Sequence, residues 1–174
     1  MQSPTPRLPR PPAATRAELD ARLTVELVSV VAGARRRALR GGDRQIDTAH
    51  LLHSLIETDP EARALLGPGP LIARVLGYLA QRSIGYGLRW RGSVEDSGAV
   101  PLVPAAGDSA SGWSPSAVAA MDGALERACS RGAVRVTGVD LLARLAADPD
   151  CRAVEVLRRA GVDTEWLGGR IELT

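Results

Sequence analysis

The stretch Ile46-Asp47-Thr48-Ala49-His50-Leu51-Leu52 recurs as Val136-Thr137-Gly138-Val139-Asp140-Leu141-Leu142, at an offset of 90 residues (136 − 46). The same shift places Leu23-Thr24 on Trp113-Ser114, Gly33-Ala34 on Gly123-Ala124, Arg37-Ala38 on Arg127-Ala128, Gly42 on Gly132 and Leu55 on Leu145. Matches at one constant shift, spread over about thirty residues, are the mark of a duplication. A chain built this way folds as two copies of one unit.

Each copy reads as helices. Thr15-Arg16-Ala17-Glu18 fits a capping box, in which a hydroxyl and a carboxylate satisfy the free amides of a first turn. From there Leu19, Leu23, Leu27, Val30, Val31 and Ala34 carry a helical stripe to about Arg40, where Gly41-Gly42 ends it. Thr24 offers a second start, since the offset pairs it with Ser114 of Ser114-Pro115, a cap followed by proline. The sequence leaves both starts open. Thr48 then caps a short helix through Leu51, Leu52, Leu55 and Ile56, Asp59-Pro60 stops it and begins Glu61 to Leu66, and Leu71, Ile72, Val75, Leu76 and Leu79 mark the last helix. The second copy repeats the plan over Ser114 to Ser130, Val139 to Ala147, Asp150 to Ala160 and Thr164 to Ile171. In its first helix Val118, Met121, Leu125 and Ala128 are the expected inner stripe. The expected fold is all-α, with two tandem pseudo-symmetric four-helix repeats in one compact domain.

The repeats are set off by segments of another character. Residues 1–14 hold five prolines with Arg7 and Arg10, and are expected to form a disordered tail. Repeat one spans 15–82 and repeat two 113–174, joined by an irregular connector over 83–112 in which Gly, Ser, Pro and Asp dominate. In it, Trp90 between Arg89 and Arg91 is expected to tuck back onto the core, with Tyr86 and the apolar run 100–103 as its other large residues.

Composition narrows the function classes. Hydrophobic residues make up 45% of the 174 positions but aromatics only 3%, so Leu, Ala and Val fill the interior, a mixture that favours helices. All 22 basic residues are Arg, and the net charge of +2 does not by itself imply nucleic acid. No apolar run reaches the roughly 18 to 20 residues of a membrane helix, and the N-terminus has no apolar signal core. Cys129 and Cys151 lack metal or redox spacing and are expected to be reduced packing residues. A cytoplasmic location is the expectation.

Catalytic and metal signals are sparse. His50 and His53 stand three apart with Asp47 one turn earlier, but no further Cys or His cluster completes a ligand set, so no metal site is expected. There is no Gly-x-Ser-x-Gly elbow and no paired-carboxylate motif, and neither an enzymatic activity nor a cofactor is expected. Arg35-Arg36-Arg37 with Arg40 and Arg44, together with the basic tail, gives an alternative reading as a nucleic-acid-binding regulator. Consecutive arginines on a helix point in three directions, which weakens that stripe.

Two tandem four-helix repeats, each opening on Ser or Thr and starting its second helix on an Ile/Val-x-Thr-x-His-x-Leu type pattern, resemble the N-terminal domain of the Clp ATPases, nearest to the ClpC type. Ile46 to Leu52 carry the better motif, and Ala153, Val156-Leu157 and Gly161-Val162-Asp163 the better ending. The resemblance implies a docking domain for adaptors and substrates of a Clp unfoldase-protease. The ATPase loop Gly-x-x-x-x-Gly-Lys-Ser/Thr is missing and the chain has no Lys, so the implied function is docking without motor activity. The resemblance also implies a groove for hydrophobic peptides and cyclic-peptide antibiotics between the two first helices, with Leu23 and Trp113 at the anchor positions just before Thr24 and Ser114. It further implies two phosphoarginine sites, whose phosphate-holding hydroxyls are matched by Thr24 and Ser114 and whose guanidinium-binding Glu positions are Ala49 and Val139 here. Loss of both carboxylates removes charge-assisted bonds of about 1.5 to 3 kcal/mol each and argues against phosphoarginine.

Overall fold

The computed structural model describes residues 16–82, 90, 93–96 and 112–174. Among these residues there are nine helices: α1 (Arg16–Ala21), α2 (Val25–Gly41), α3 (Thr48–Thr58), α4 (Pro60–Leu66), α5 (Gly69–Gln81), α6 (Pro115–Ser130), α7 (Gly138–Ala147), α8 (Arg152–Ala160) and α9 (Thr164–Glu172). The tail over 1–14, Thr15, Tyr86, Arg89, Arg91 and the run 100–103 lie outside the described residues.

The helix read from the first start does not run through to Arg40, because α1 ends at Ala21 and Leu23 pairs in a bridge before α2 begins. The short α1 precedes a new start at Thr24, whose hydroxyl accepts from the Leu27 amide at 3.3 Å. Ser114 does the same for α6, accepting from the Ala117 amide at 3.1 Å. Gly42 and Gly132 follow the two long helices at φ 67°, the left-handed turn that a residue with a Cβ enters only at a cost.

Three local expectations are corrected. The cap of α3 is Asp47 rather than Thr48, because the Asp47 carboxylate accepts from the His50 amide at 2.9 Å while His50 Nδ1 accepts from the Asp47 amide at 3.1 Å. A carboxylate closing this reciprocal box outcompetes a hydroxyl one residue later. The inner stripe of α6 is Ala117, Ala120, Ala124 and Ala128, with Val118, Met121 and Leu125 only partly buried. These alanines are the offset partners of Leu27, Val30, Ala34 and Ala38, the buried face of α2. Cys129 is exposed and Cys151 buried, so only the second packs in the core.

The middle of the molecule belongs to α3 and α7. Helix α3 packs on α2, α4 and α5 of its own repeat and on α6, α7 and α8 of the other, and α7 is similarly surrounded. That is why Leu51, Leu52, Leu55, Leu141, Leu142 and Leu145 are all fully buried. A helix apolar on most sides belongs inside.

The repeats interlock by exchanging short bridges. Leu23 pairs with Val136 and Ile46 with Trp113, both parallel. The Thr24 amide donates to Val136 O at 3.0 Å, the Val136 amide to Arg22 O at 2.8 Å, and the Ser114 amide to Ile46 O at 2.8 Å. The residues that show the duplication most clearly therefore build the seam between its copies.

Candidate functional site

The residues expected to hold a ligand all lie on this seam. Ser114 and Leu23 are buried in it, while Thr24 and Trp113 are partly exposed. The seam brings Leu23 to Val136 and Trp113 to Ile46, so each side joins one repeat's first-helix start to the other repeat's second-helix motif. Val25 and Val134 flank the Leu23–Val136 bridge at 70% and 93% exposure, and they form apolar surface that the fold does not use. The positions Ala49 and Val139 are both buried.

Beside the Trp113 bridge lies a polar cluster with Glu95 at its centre. Glu95 is only 5% exposed. Its carboxylate accepts from the Thr48 amide at 2.8 Å, the Ser114 hydroxyl at 2.8 Å and the Arg152 amide at 2.7 Å, and also from the Thr48 hydroxyl. Thr48 in turn accepts from the Ala153 amide at 3.0 Å. Two helix N-termini, those of α3 and α8, thus converge on one carboxylate, where unsatisfied amides and the helix dipoles favour negative charge.

The cluster is explained by an asymmetry between the copies. In repeat one, Asp59 caps α4 directly, accepting from the Glu61 and Ala62 amides at 3.0 Å. In repeat two, Asp148 accepts from the Asp150 amide at 3.1 Å, and α8 begins later on Cys151. Its sulfur, a weak acceptor, takes the Val154 amide at 3.5 Å. The amides of Arg152 and Ala153 are satisfied from elsewhere, by Glu95 and Thr48.

A second charged layer sits against the first. Asp47 accepts from Arg82 at 2.9 Å and from Arg152 at 2.8 Å. Burial pushes its carboxyl up, but the His50 hydrogen bond and the Arg82 charge outweigh burial and hold it far below the ordinary carboxylate range. Trp90 lies over both arginines, with its ring 5.1 Å from the Arg82 guanidinium and 5.3 Å from that of Arg152. Arg152 also donates to Ser93, to the carbonyl at 3.1 Å and the hydroxyl at 2.8 Å. Trp90 does pack back onto the core.

Both histidines are engaged. His50 Nδ1 lies 3.1 Å from the Asp47 amide, and Nε2 faces Asp43 Oδ2 at 2.9 Å. His53 Nε2 lies 3.2 Å from Glu57. Burial first, and then the Arg37 charge, lower its pKa. Among the described residues no group of three or more His, Cys, Asp or Glu is placed to hold a metal ion, and no helix is long and apolar enough to cross a membrane. In repeat two Asp140 takes the His50 role, accepting from the Thr137 amide at 3.0 Å and from Arg131 at 2.7 Å. The arginine run is divided, with Arg37 paired to Glu57 and Arg36, Arg40 and Arg44 exposed.

Sequence reasoning missed Glu95, Arg82 and Arg152. The available signal was the Asp150-Cys151 start of α8, which offers no strong cap where the first copy has Asp59.

Comparison with solved structures agrees with this architecture. The chain is similar to the N-terminal domain of the Clp-associated chaperone ClpD from Arabidopsis thaliana, with 23% identity, a TM-score of 0.62, and coverage of 87% of this chain and 93% of that one. A structure from preliminary investigations of a malarial protein secretion system matches with a TM-score of 0.61 at 13% identity, over the same shares of the two chains. No protein-family model and no curated protein sequence matches. The chain has the all-α fold of a Clp N-terminal domain.

Proposed function

We propose that this chain is a non-enzymatic protein- and peptide-binding module of the Clp N-terminal type. It works as an adaptor, competitor or sequestering protein around a Clp unfoldase-protease or its substrates. Hydrophobic peptides, peptide-like cyclic antibiotics among them, dock along the seam at Leu23, Thr24, Trp113 and Ser114. One observation carries this reading: the seam leaves a partly exposed indole at one bridge and the exposed Val25 and Val134 at the other. An indole combines a large apolar face with a single donor, the usual make-up of a binding anchor. Leu23 and Ser114 support that surface from beneath.

Calorimetric titration with a hydrophobic cyclic peptide, and with a Clp unfoldase stripped of its own N-terminal domain, tests it. Saturable binding is expected, weakened at least tenfold, or about 1.4 kcal/mol, by Trp113→Ala. Phosphoarginine is expected to give no saturable heat, because Ala49 and Val139 provide no carboxylate for its guanidinium. Full affinity in a folded Trp113→Ala chain would sink the seam as the docking site.

A further inference from the structure

Trp90 and residues 93–96 lie against both repeats. They contact them through an indole over two arginines, the Ser93 carbonyl and hydroxyl on Arg152, and the Glu95 carboxylate at the meeting point of two helix starts. Residues 93–96 have neither helix nor strand of their own, and Val94 between the anchors is 59% exposed. The site beneath consists of elements that the repeats position without the connector. Asp47 is capped into α3 and pairs with Arg82, Thr48 opens α3, and Ser114 caps α6.

We propose that this surface is a docking site for a partner segment that carries an aromatic residue and, five residues later, a carboxylate. In the resting chain the connector's own Trp90 and Glu95 occupy it. The inference rests on the reading of the chain as a peptide-binding module and names the chemistry of a second kind of ligand for it. The charge pattern argues for that occupant. The amides of Thr48 and Arg152 and the hydroxyls of Thr48 and Ser114 present four donors to one anion, and the Arg82 and Arg152 guanidinium planes present cationic faces to one ring. A tethered segment acts at an effective concentration of about millimolar, so a free peptide competes poorly until the tethered anchors are removed.

The test uses a fluorescent peptide with the sequence from Arg89 to Asp96, followed by anisotropy against the full chain and against Trp90→Ala/Glu95→Gln. The variant is expected to bind at least tenfold more tightly than the parent chain. Replacing the glutamate of the peptide by glutamine should cancel that gain. Native-state hydrogen exchange on the parent chain gives an independent readout. Amides of Thr48 and Arg152 should exchange through a partial opening, well before those of Leu51 and Leu52. A folded variant no better than the parent would overturn the proposal. If the variant fails to fold, exchange decides alone: Thr48 and Arg152 opening only with global unfolding would make Glu95 a structural cap and overturn the proposal. A chain that still binds the hydrophobic cyclic peptide through Trp113 while failing these tests loses only this inference, whereas loss of cyclic-peptide binding strikes the broader reading.

Discussion

The sulfur of Cys151 lies between the Leu145 carbonyl, 3.4 Å away, and the Val154 amide, and burial pushes its thiol up to about 11. At pH 8 the thiolate fraction is then about one in a thousand, and the thiolate is the form that reacts. Cys129 sits exposed near the end of α6, with Arg22 3.5 Å from its sulfur. Iodoacetamide at pH 8 is expected to label Cys129 in the native protein and Cys151 only after unfolding, as read by peptide mass spectrometry. Comparable native labelling of both thiols would show that the start of α8 opens readily. The two cysteines look alike in sequence, each within a helical pattern, and only the register of the helix separates them.

At the level of helix on helix, the duplicated glycines mark where the elements come closest. Gly33 of α2 lies against Ser54 of α3, and Gly123 of α6 against Arg144 of α7, the same pair of positions in each copy. A Cβ on Gly123 meets the far end of the Arg144 side chain, which can swing aside. A Cβ on Gly138 instead runs into the Asp59 carboxylate, 2.8 Å from its Cγ, and lies 2.8 Å from Leu55 Cδ1, both fixed at the heart of the seam. Gly138→Ala is therefore expected to destabilise by about 1 to 3 kcal/mol through overpacking, and Gly123→Ala by less than 1 kcal/mol, since helix propensity offsets the adjustment. Urea midpoints of the two variants check the order. The helices, their repeat and the seam positions were legible because periodicity and a constant offset are local signals. The alanine stripe of α6 was not, because the eye follows bulk: Val118, Met121 and Leu125 outweigh Ala117 and Ala124 by size while smallness decides which face can approach α7. Glu95 was illegible for another reason. Its four donors come from three distant segments, and no local pattern announces a side chain that caps a helix 57 residues away.

For the molecule as a whole, Asp47 ties three helices together. It caps α3, receives Arg82 from just beyond α5, and receives Arg152 from the first turn of α8 in the other repeat. Its side chain is 2% exposed and those of the two arginines 12% and 11%, so little solvent screens the group. The folded pKa is depressed relative to the unfolded value of 3.8, so the unfolded chain binds the proton more readily than the folded one. The stabilisation is fully present above that value and is lost as pH falls below it, with a slope of up to about 1.4 kcal/mol per pH unit from this one group. The acid limb of a whole chain sums over all its titrating groups, so the comparison needed is between variants. Asp47→Asn is expected to cost about 3 to 5 kcal/mol at pH 7, because two guanidinium groups lose the charge they face, and to flatten the acid limb between pH 4 and 2 by the Asp47 share. Urea unfolding across that range, followed by circular dichroism and by Trp fluorescence, measures both effects. Coincident curves from the two probes are expected as well, since Asp47 and the exchanged bridges leave neither repeat a core that can melt alone. An acid limb of unchanged slope in Asp47→Asn would assign the pH dependence to other carboxylates and remove Asp47 as the tie between the repeats.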